Sequence, residues 1–255
     1  MRPLLAEGAL TREWAWAGAT GSGVDVAVVD SGIDAGHPMV GGVSSAVAMT
    51  YDPEEGDGVR RVEGPHEDLF GHGTACAGII RRVAPECRLH SIRVLGERLT
   101  GKGAVFAAGL EWAIERRYRV VNLSLSTGKD DYFGLFHELA DRAYFAGVML
   151  VCAVNNVAAA PSYPSQYASV FSVAAHDRQD PFGFDYNPEP PVELGAPGID
   201  VTVAWKGEGT IVTTGNSFAA PHVAGLIARL LSKHPQLTPF QVKTVLHALA
   251  DNARA

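Results

Sequence analysis

The sequence predicts an α/β fold with a mostly parallel central sheet and helices on both faces, and three observations carry that expectation. Short β-branched runs alternate with longer stretches of helical periodicity, the pattern of parallel strands joined by helical crossovers. The 255 residues are 47% hydrophobic and 19% charged, enough to bury one sizeable core. No repeat or low-complexity tract interrupts residues 1–255, so a single domain is expected over that whole span.

Strands are expected near Val24–Val29, Arg88–Val94, Val120–Leu125, Val148–Ala153 and Val170–Ala174. Their near-continuous apolar character suits strands covered on both faces. Helices are expected near Thr74–Arg81, Gly103–Arg117, Phe133–Ala146, Phe218–Lys233 and Pro239–Ala250. In the fourth, Val223, Leu226, Ile227, Leu230 and Leu231 recur at the spacing of one buried helix face. The Pro-rich stretch Asp177–Gly198 reads as long surface loops, and the acidic stretch Asp52–Asp68 as a solvated loop.

Three segments carry chemistry. Asp30 ends the first apolar strand, in Val28-Val29-Asp30-Ser31-Gly32-Ile33-Asp34, at the sheet edge where working residues collect in open α/β folds. His72 lies between glycines in Gly71-His72-Gly73-Thr74-Ala75-Cys76-Ala77-Gly78, ahead of a small-residue helix. Ser217 lies in Gly215-Asn216-Ser217-Phe218-Ala219-Ala220-Pro221, at a helix N-terminus whose free N–H groups and dipole favour a developing oxyanion. Singly, each has a bland explanation: a turn aspartate, a structural histidine, a serine N-cap.

Together, in the order Asp30…His72…Ser217, the three motifs resemble the subtilisin-like (subtilase) serine proteases, over about Trp14 to Leu249. That resemblance implies a subtilisin-like three-layer sandwich and a serine endopeptidase working through an acyl-enzyme. It implies that His72 takes and returns the Ser217 proton while Asp30 holds the imidazole tautomer. It assigns Asn155 as the second oxyanion donor, with Asn156 the alternative if the register slips. Substrate is expected to pair as an added strand along Leu99, Thr100, Gly101 and Ser124, Leu125, Ser126. The first specificity pocket is expected between Ser124–Ser126, Cys152–Asn155 (Ala153 and Val154 within it) and Ser162.

The chain departs from its relatives at several positions. Val154 and Ser162 stand where glycine is common, which predicts a shallower pocket for small or slender residues. Asn216 replaces a threonine, Phe218 a methionine and Ala75 a histidine. Phe218 is expected to pack beneath its helix.

The net charge of −7 argues against nucleic-acid or anionic-membrane partners, leaving a peptide or protein substrate and a monomer as the expectation. The short, charged Met1–Glu13 does not read as a secretory leader, which predicts a cytoplasmic protein if Met1 is the natural start. Cys76, Cys87 and Cys152 lack metal spacing and are expected to be buried thiols, Cys76 one helical turn beyond His72. No cofactor or metal is expected: Ile79-Ile80-Arg81-Arg82 runs straight to Val83-Ala84-Pro85 without room for the calcium loop of many relatives. Two further readings use the same fold: an inactive peptide-binding protein, and a macrocyclase whose acyl-enzyme is captured by an amine. A dedicated precursor-processing protease is the favoured physiological role.

Overall fold

In the computed structural model, which describes residues 10–254, β1 (Asp25–Asp30), β2 (Ser45–Tyr51), β3 (Val59–Glu63), β4 (Arg88–Arg93), β5 (Val120–Leu123), β6 (Met149–Ala153), β7 (Phe171–His176), β8 (Asp185–Tyr186) and β9 (Leu194–Pro197) form one sheet. Its order is β3-β2-β4-β1-β5-β6-β7-β9-β8. The seven inner strands are parallel, and β3 and β8 add antiparallel edges. Strands β10 (Val201–Trp205) and β11 (Gly209–Thr213) make a separate hairpin.

The two-residue alternation of the strands sorts their side chains into two cores. Val26, Val28, Val151 and Val173 face α1 (Arg12–Trp16), α2 (His72–Val83), α5 (Asn216–Lys233) and α6 (Pro239–Leu249). Ala27, Val29, Val121 and Leu150 face α3 (Gly103–Glu115) and α4 (Phe133–Ala146). The result is the three-layer arrangement expected from the alternation. Helix ends follow local chemistry. Thr238 and Gln241 close a capping box ahead of Pro239, and α4 stops where Gly147 takes φ +75°.

Two loop expectations are corrected. The acidic stretch contains β3, whose Arg60 pairs with Asp52 and whose Arg61 pairs with Asp57, so ion pairs decorate an edge strand. The stretch Asp177–Gly198 contains β8 and β9, which complete the sheet. Short, polar or proline-containing strands give no periodic signal of their own; their pairing partners make them strands. Residues Met1–Ala9, most of the segment behind the leader argument, lie outside the described residues.

The sheet order places β1 between β4 and β5, with the chain filling one side of β1 before crossing to the other. Asp30, Leu95, Ser124 and Val154 therefore cluster at or just beyond the carboxyl ends of β1, β4, β5 and β6, the place where such sheets open a crevice.

Candidate active site

Asp30 is fully buried at the end of β1, and His72 opens α2. The imidazole Nδ1 lies 2.9 Å from each Asp30 carboxylate oxygen. A carboxylate only accepts, so Nδ1 carries the proton and the neutral ring keeps a lone pair on Nε2. This approach needs a glycine after His72. A Cβ on Gly73 would stand 2.0 Å from the Gly32 carbonyl oxygen, so a side chain there would push α2 off the strand end.

Asp68 is a site residue that sequence reasoning placed in a solvated loop. It is buried and accepts from the Ser31 hydroxyl (2.7 Å), the Phe70 and Gly71 amides (3.0 and 2.8 Å), and the Thr74 amide and hydroxyl (2.9 and 2.6 Å). Ser31 Oγ in turn accepts from the Gly73 amide. A second carboxylate thus ties the strand end bearing Asp30 to the first turn of the helix bearing His72. The available signal was an acidic residue four positions before His72 at a helix start, where free N–H groups favour negative charge.

Ser217 is the second residue of α5. Pro221, four residues on, has no N–H, so the Ser217 carbonyl lacks its intrahelical donor. That carbonyl instead accepts from Ser124 Oγ at 2.7 Å and Cys76 Sγ at 3.6 Å, which fastens the serine to β5 and α2. The Ser217 hydroxyl itself donates to the Ser124 carbonyl at 3.2 Å. Phe218 packs into the interior, as expected. Its ring lies 5.3 Å from that of His72 and joins Ala75, Ile79, Val201 and Val203 in a small apolar cluster.

Asn216 has a larger role than its place as a departure from the family pattern suggested. Its Oδ1 accepts from the Ala175 amide at 2.8 Å, and its Nδ2 donates to the Val154 and Asn155 carbonyls at 3.2 and 3.1 Å. Its backbone N–H donates to Asn156 Oδ1 at 3.0 Å. One amide side chain thereby holds the segment after β6 against the start of α5.

A cleft of about 860 Å³ opens beside Ser217. Leu99, Thr100, Gly101, Ser124, Leu125, Ser126, Ala153, Val154, Asn155 and Asn156 all line it. Ser162 and Cys152 do not. Ser162 is buried, its Oγ accepting from Ser165 Oγ at 2.7 Å, and Cys152 points from β6 into the core around α3 and α4. Strand alternation explains the latter, since Ala153 takes the opposite face. Lys102, Lys129 and Tyr132 also line the cleft and were not anticipated. Asn155 Nδ2 donates to the Pro161 carbonyl at 3.4 Å, a long bond on an exposed loop.

Burial disfavours charge on His72, but the Asp30 charge and hydrogen bonds, with Asp68 beyond, outweigh it and hold the imidazole pKa above its usual 6.5. Burial and the Asp30 charge push the Cys76 thiol well above the ordinary range. Asp30, His72 and Cys76 present donor atoms within 4.8 Å of one another. A mercurial is therefore expected to inactivate the protein slowly, because little thiolate is present. Cys76→Ala should abolish the effect, although Cys87 and Cys152 remain; inactivation of that variant at the original rate would refute the assignment.

This fold, with a buried Asp–His pair and a serine at a cleft-facing helix start, defines the class of subtilisin-like serine endopeptidases. Residues 21–255 match the family model for the Subtilase family, Peptidase_S8. The chain belongs to that family. It is 33% identical over 245 residues to a thermostable alkaline protease of Halalkalibacterium halodurans, the match covering 91% of this chain and 63% of that protein. It is 31% identical over 252 residues to subtilisin DY of Bacillus licheniformis, covering 92% and 86%. Among solved structures it is similar to a cold adapted subtilisin-like serine proteinase, with a TM-score of 0.73, 27% identity and coverage of 93% and 87%. Sphericase shares the fold at a TM-score of 0.75 and 24% identity, covering 89% and 83%. The chain thus spans less than two thirds of the length of the Halalkalibacterium halodurans protease. No helix among the described residues is long and apolar enough to cross a membrane.

Proposed function

We propose that this chain cleaves internal peptide bonds by acyl transfer, with Ser217 as nucleophile, His72 as general base and acid, and Asp30 as its orienting partner. The observation that carries this reading is the pair of 2.9 Å contacts from His72 Nδ1 to Asp30, which leaves Nε2 free to accept a proton. The acyl-enzyme forms when a tetrahedral intermediate breaks its C–N bond and His72 passes the Ser217 proton to the departing amine. In that intermediate, attack of Ser217 Oγ has turned the scissile carbonyl oxygen into an oxyanion. The Ser217 N–H at the start of α5 and the Asn155 amide stabilise it, Asn155 exchanging its long bond to Pro161 for the substrate. Water then releases the acid product. Asn156 Oδ1 accepts from the Asn216 N–H and so ties this segment to the helix start.

The Ser217 hydroxyl rests on the Ser124 carbonyl, so the nucleophile rotates toward Nε2 when substrate binds. The discriminating experiment is labelling with a fluorophosphonate. Covalent labelling abolished by Ser217→Ala is expected. No labelling of the native chain would favour a peptide-binding protein with the protease fold.

Val154 in the cleft supports a preference for small or slender side chains at the cleaved residue, and a narrowed site suits processing of a dedicated precursor. Val154→Gly is expected to raise kcat/KM for Phe or Tyr at that position about tenfold relative to Ala, in line with the few methylene equivalents removed. An unchanged ratio would remove Val154 from the pocket. Mass spectrometry of a peptide library would separate hydrolysed from ligated products, and so hydrolysis from macrocyclisation.

A further inference from the structure

We infer that the far end of the substrate cleft is a carboxylate-accepting subsite, and that the enzyme prefers acidic residues on the acyl side, beyond the residue whose carbonyl is attacked. This inference rests on the peptidase reading above and specifies its substrate class.

Charge is distributed unevenly between the cleft and the rest of the molecule. The chain carries a formal net charge of −7, yet among the described residues the only charged ones lining the cleft are Lys102 and Lys129. Among the described residues neither ammonium has a carboxylate within 4.0 Å. Lys102 Nζ sits 4.3 Å from the centre of the Tyr51 ring, a contact that steadies the ammonium without neutralising it. The acidic neighbours in sequence, Glu97, Asp130 and Asp131, do not line the cleft, and the Asp130 carboxylate accepts from the Tyr163 hydroxyl at 3.3 Å.

The backbone adds to the same field. Lys102 is the N-cap of the 13-residue helix α3 and offers no side-chain acceptor, and the first turn holds no acidic residue. The first bond at that end is from the Phe106 amide to the Lys102 carbonyl, so the N–H groups of Gly103, Ala104 and Val105 have no partner among the described residues. The two banks of the cleft meet there. A Cβ on Gly103 would lie 2.2 Å from the Tyr132 ring, so the segments 102–103 and 129–132 that carry the two lysines approach each other closely. A peptide laid along the cleft from Ser217 brings its upstream side chains to this end. Two unneutralised ammonium groups and a helix start then favour a carboxylate over a neutral or cationic group.

The test is a set of internally quenched peptides sharing one cleavage site, with Glu, Gln or Lys in turn at each of the second to fourth residues upstream of the scissile bond. At one of these positions Glu is expected to exceed Gln about fivefold in kcat/KM, the combined scale of exposed ion pairs and a helix terminus. Lys should fall below Gln, and the Glu preference should shrink in high salt. K102E/K129E should invert the ranking, so that Lys exceeds Gln and Gln exceeds Glu at the same position. Cleavage with Glu and Gln within twofold at every position, or a preference that survives K102E/K129E, would overturn the inference and leave the peptidase reading intact. Absence of both labelling and cleavage would overturn the peptidase reading and this inference with it.

Discussion

Asp30→Asn is expected to lower kcat by about four orders of magnitude while leaving the fold in place, a scale taken from serine-protease triads in general. The amide is nearly isosteric with the carboxylate, but it cannot accept with both atoms from Nδ1. The proton then shifts to Nε2 in the neutral ring, and the base can no longer take the Ser217 proton. The variant also tests the electrostatics. In the native chain, activity requires neutral His72, whose pKa is held above 6.5 by Asp30 against burial. Activity should therefore fall as pH drops through a midpoint above 6.5. Removing the Asp30 charge leaves burial dominant, so the residual activity of Asp30→Asn should persist to lower pH. A residual acid limb at or above the native midpoint would mean that Asp30 does not set the His72 equilibrium.

The same shift makes a stability statement of the opposite sense. A group whose folded pKa is raised binds protons more tightly in the native state. The His72–Asp30 attraction thus contributes fully below the unfolded value near 6.5 and is lost as pH rises through the folded value. Stability and activity consequently respond to this histidine in opposite directions over the same interval.

Asp68→Ala is expected to cost about 3 kcal/mol or more of stability, read as the shift in denaturant midpoint at unchanged slope. It removes the acceptor of five hydrogen bonds from Ser31, Phe70, Gly71 and Thr74, leaving buried donors that water reaches poorly. Asp68→Asn should cost less, because its remaining oxygen still serves part of the set. Its kinetic signature separates positioning from mere folding. Asp68 raises the His72 pKa from a distance and anchors the first turn of α2. The asparagine variant should therefore lower kcat with KM little changed and move the acid limb downward. A folded Asp68→Asn protein with native kcat and native pH profile would reduce Asp68 to a structural role.

Legibility differed along the chain for physical reasons. The five central strands β1, β4, β5, β6 and β7 and the long helices announced themselves because each is covered by the core and must be apolar at its own period, as β1 and α5 are, whereas the inner strand β2 gave no such signal. The edge strands β3 and β8 and the short inner strand β9 resemble loops in sequence because charges, a proline or short length leave no period, and only their neighbours define them. Val154 and Ala153 reached the cleft as expected from their position after a buried strand. Ser162 did not, because a local contact with Ser165 and the burial of its loop override its nearness in sequence. Lys102 and Lys129 gave no signal, since isolated exposed lysines look alike until a cleft gathers them.

The amino-acid sequence by itself determined the fold class, the family and the three chemically distinctive residues, because strand period, glycine placement and motif order are local properties of the chain. Only the tertiary structure decided which carboxylate braces the histidine's helix and which side chains receive the carbonyl that Pro221 leaves free. It also decided that two lysines line one cleft. Each of these depends at least in part on contacts between segments tens of residues apart, as between Asp68 and Ser31 or between Ser124 and Ser217, and such contacts depend on packing that no single segment encodes.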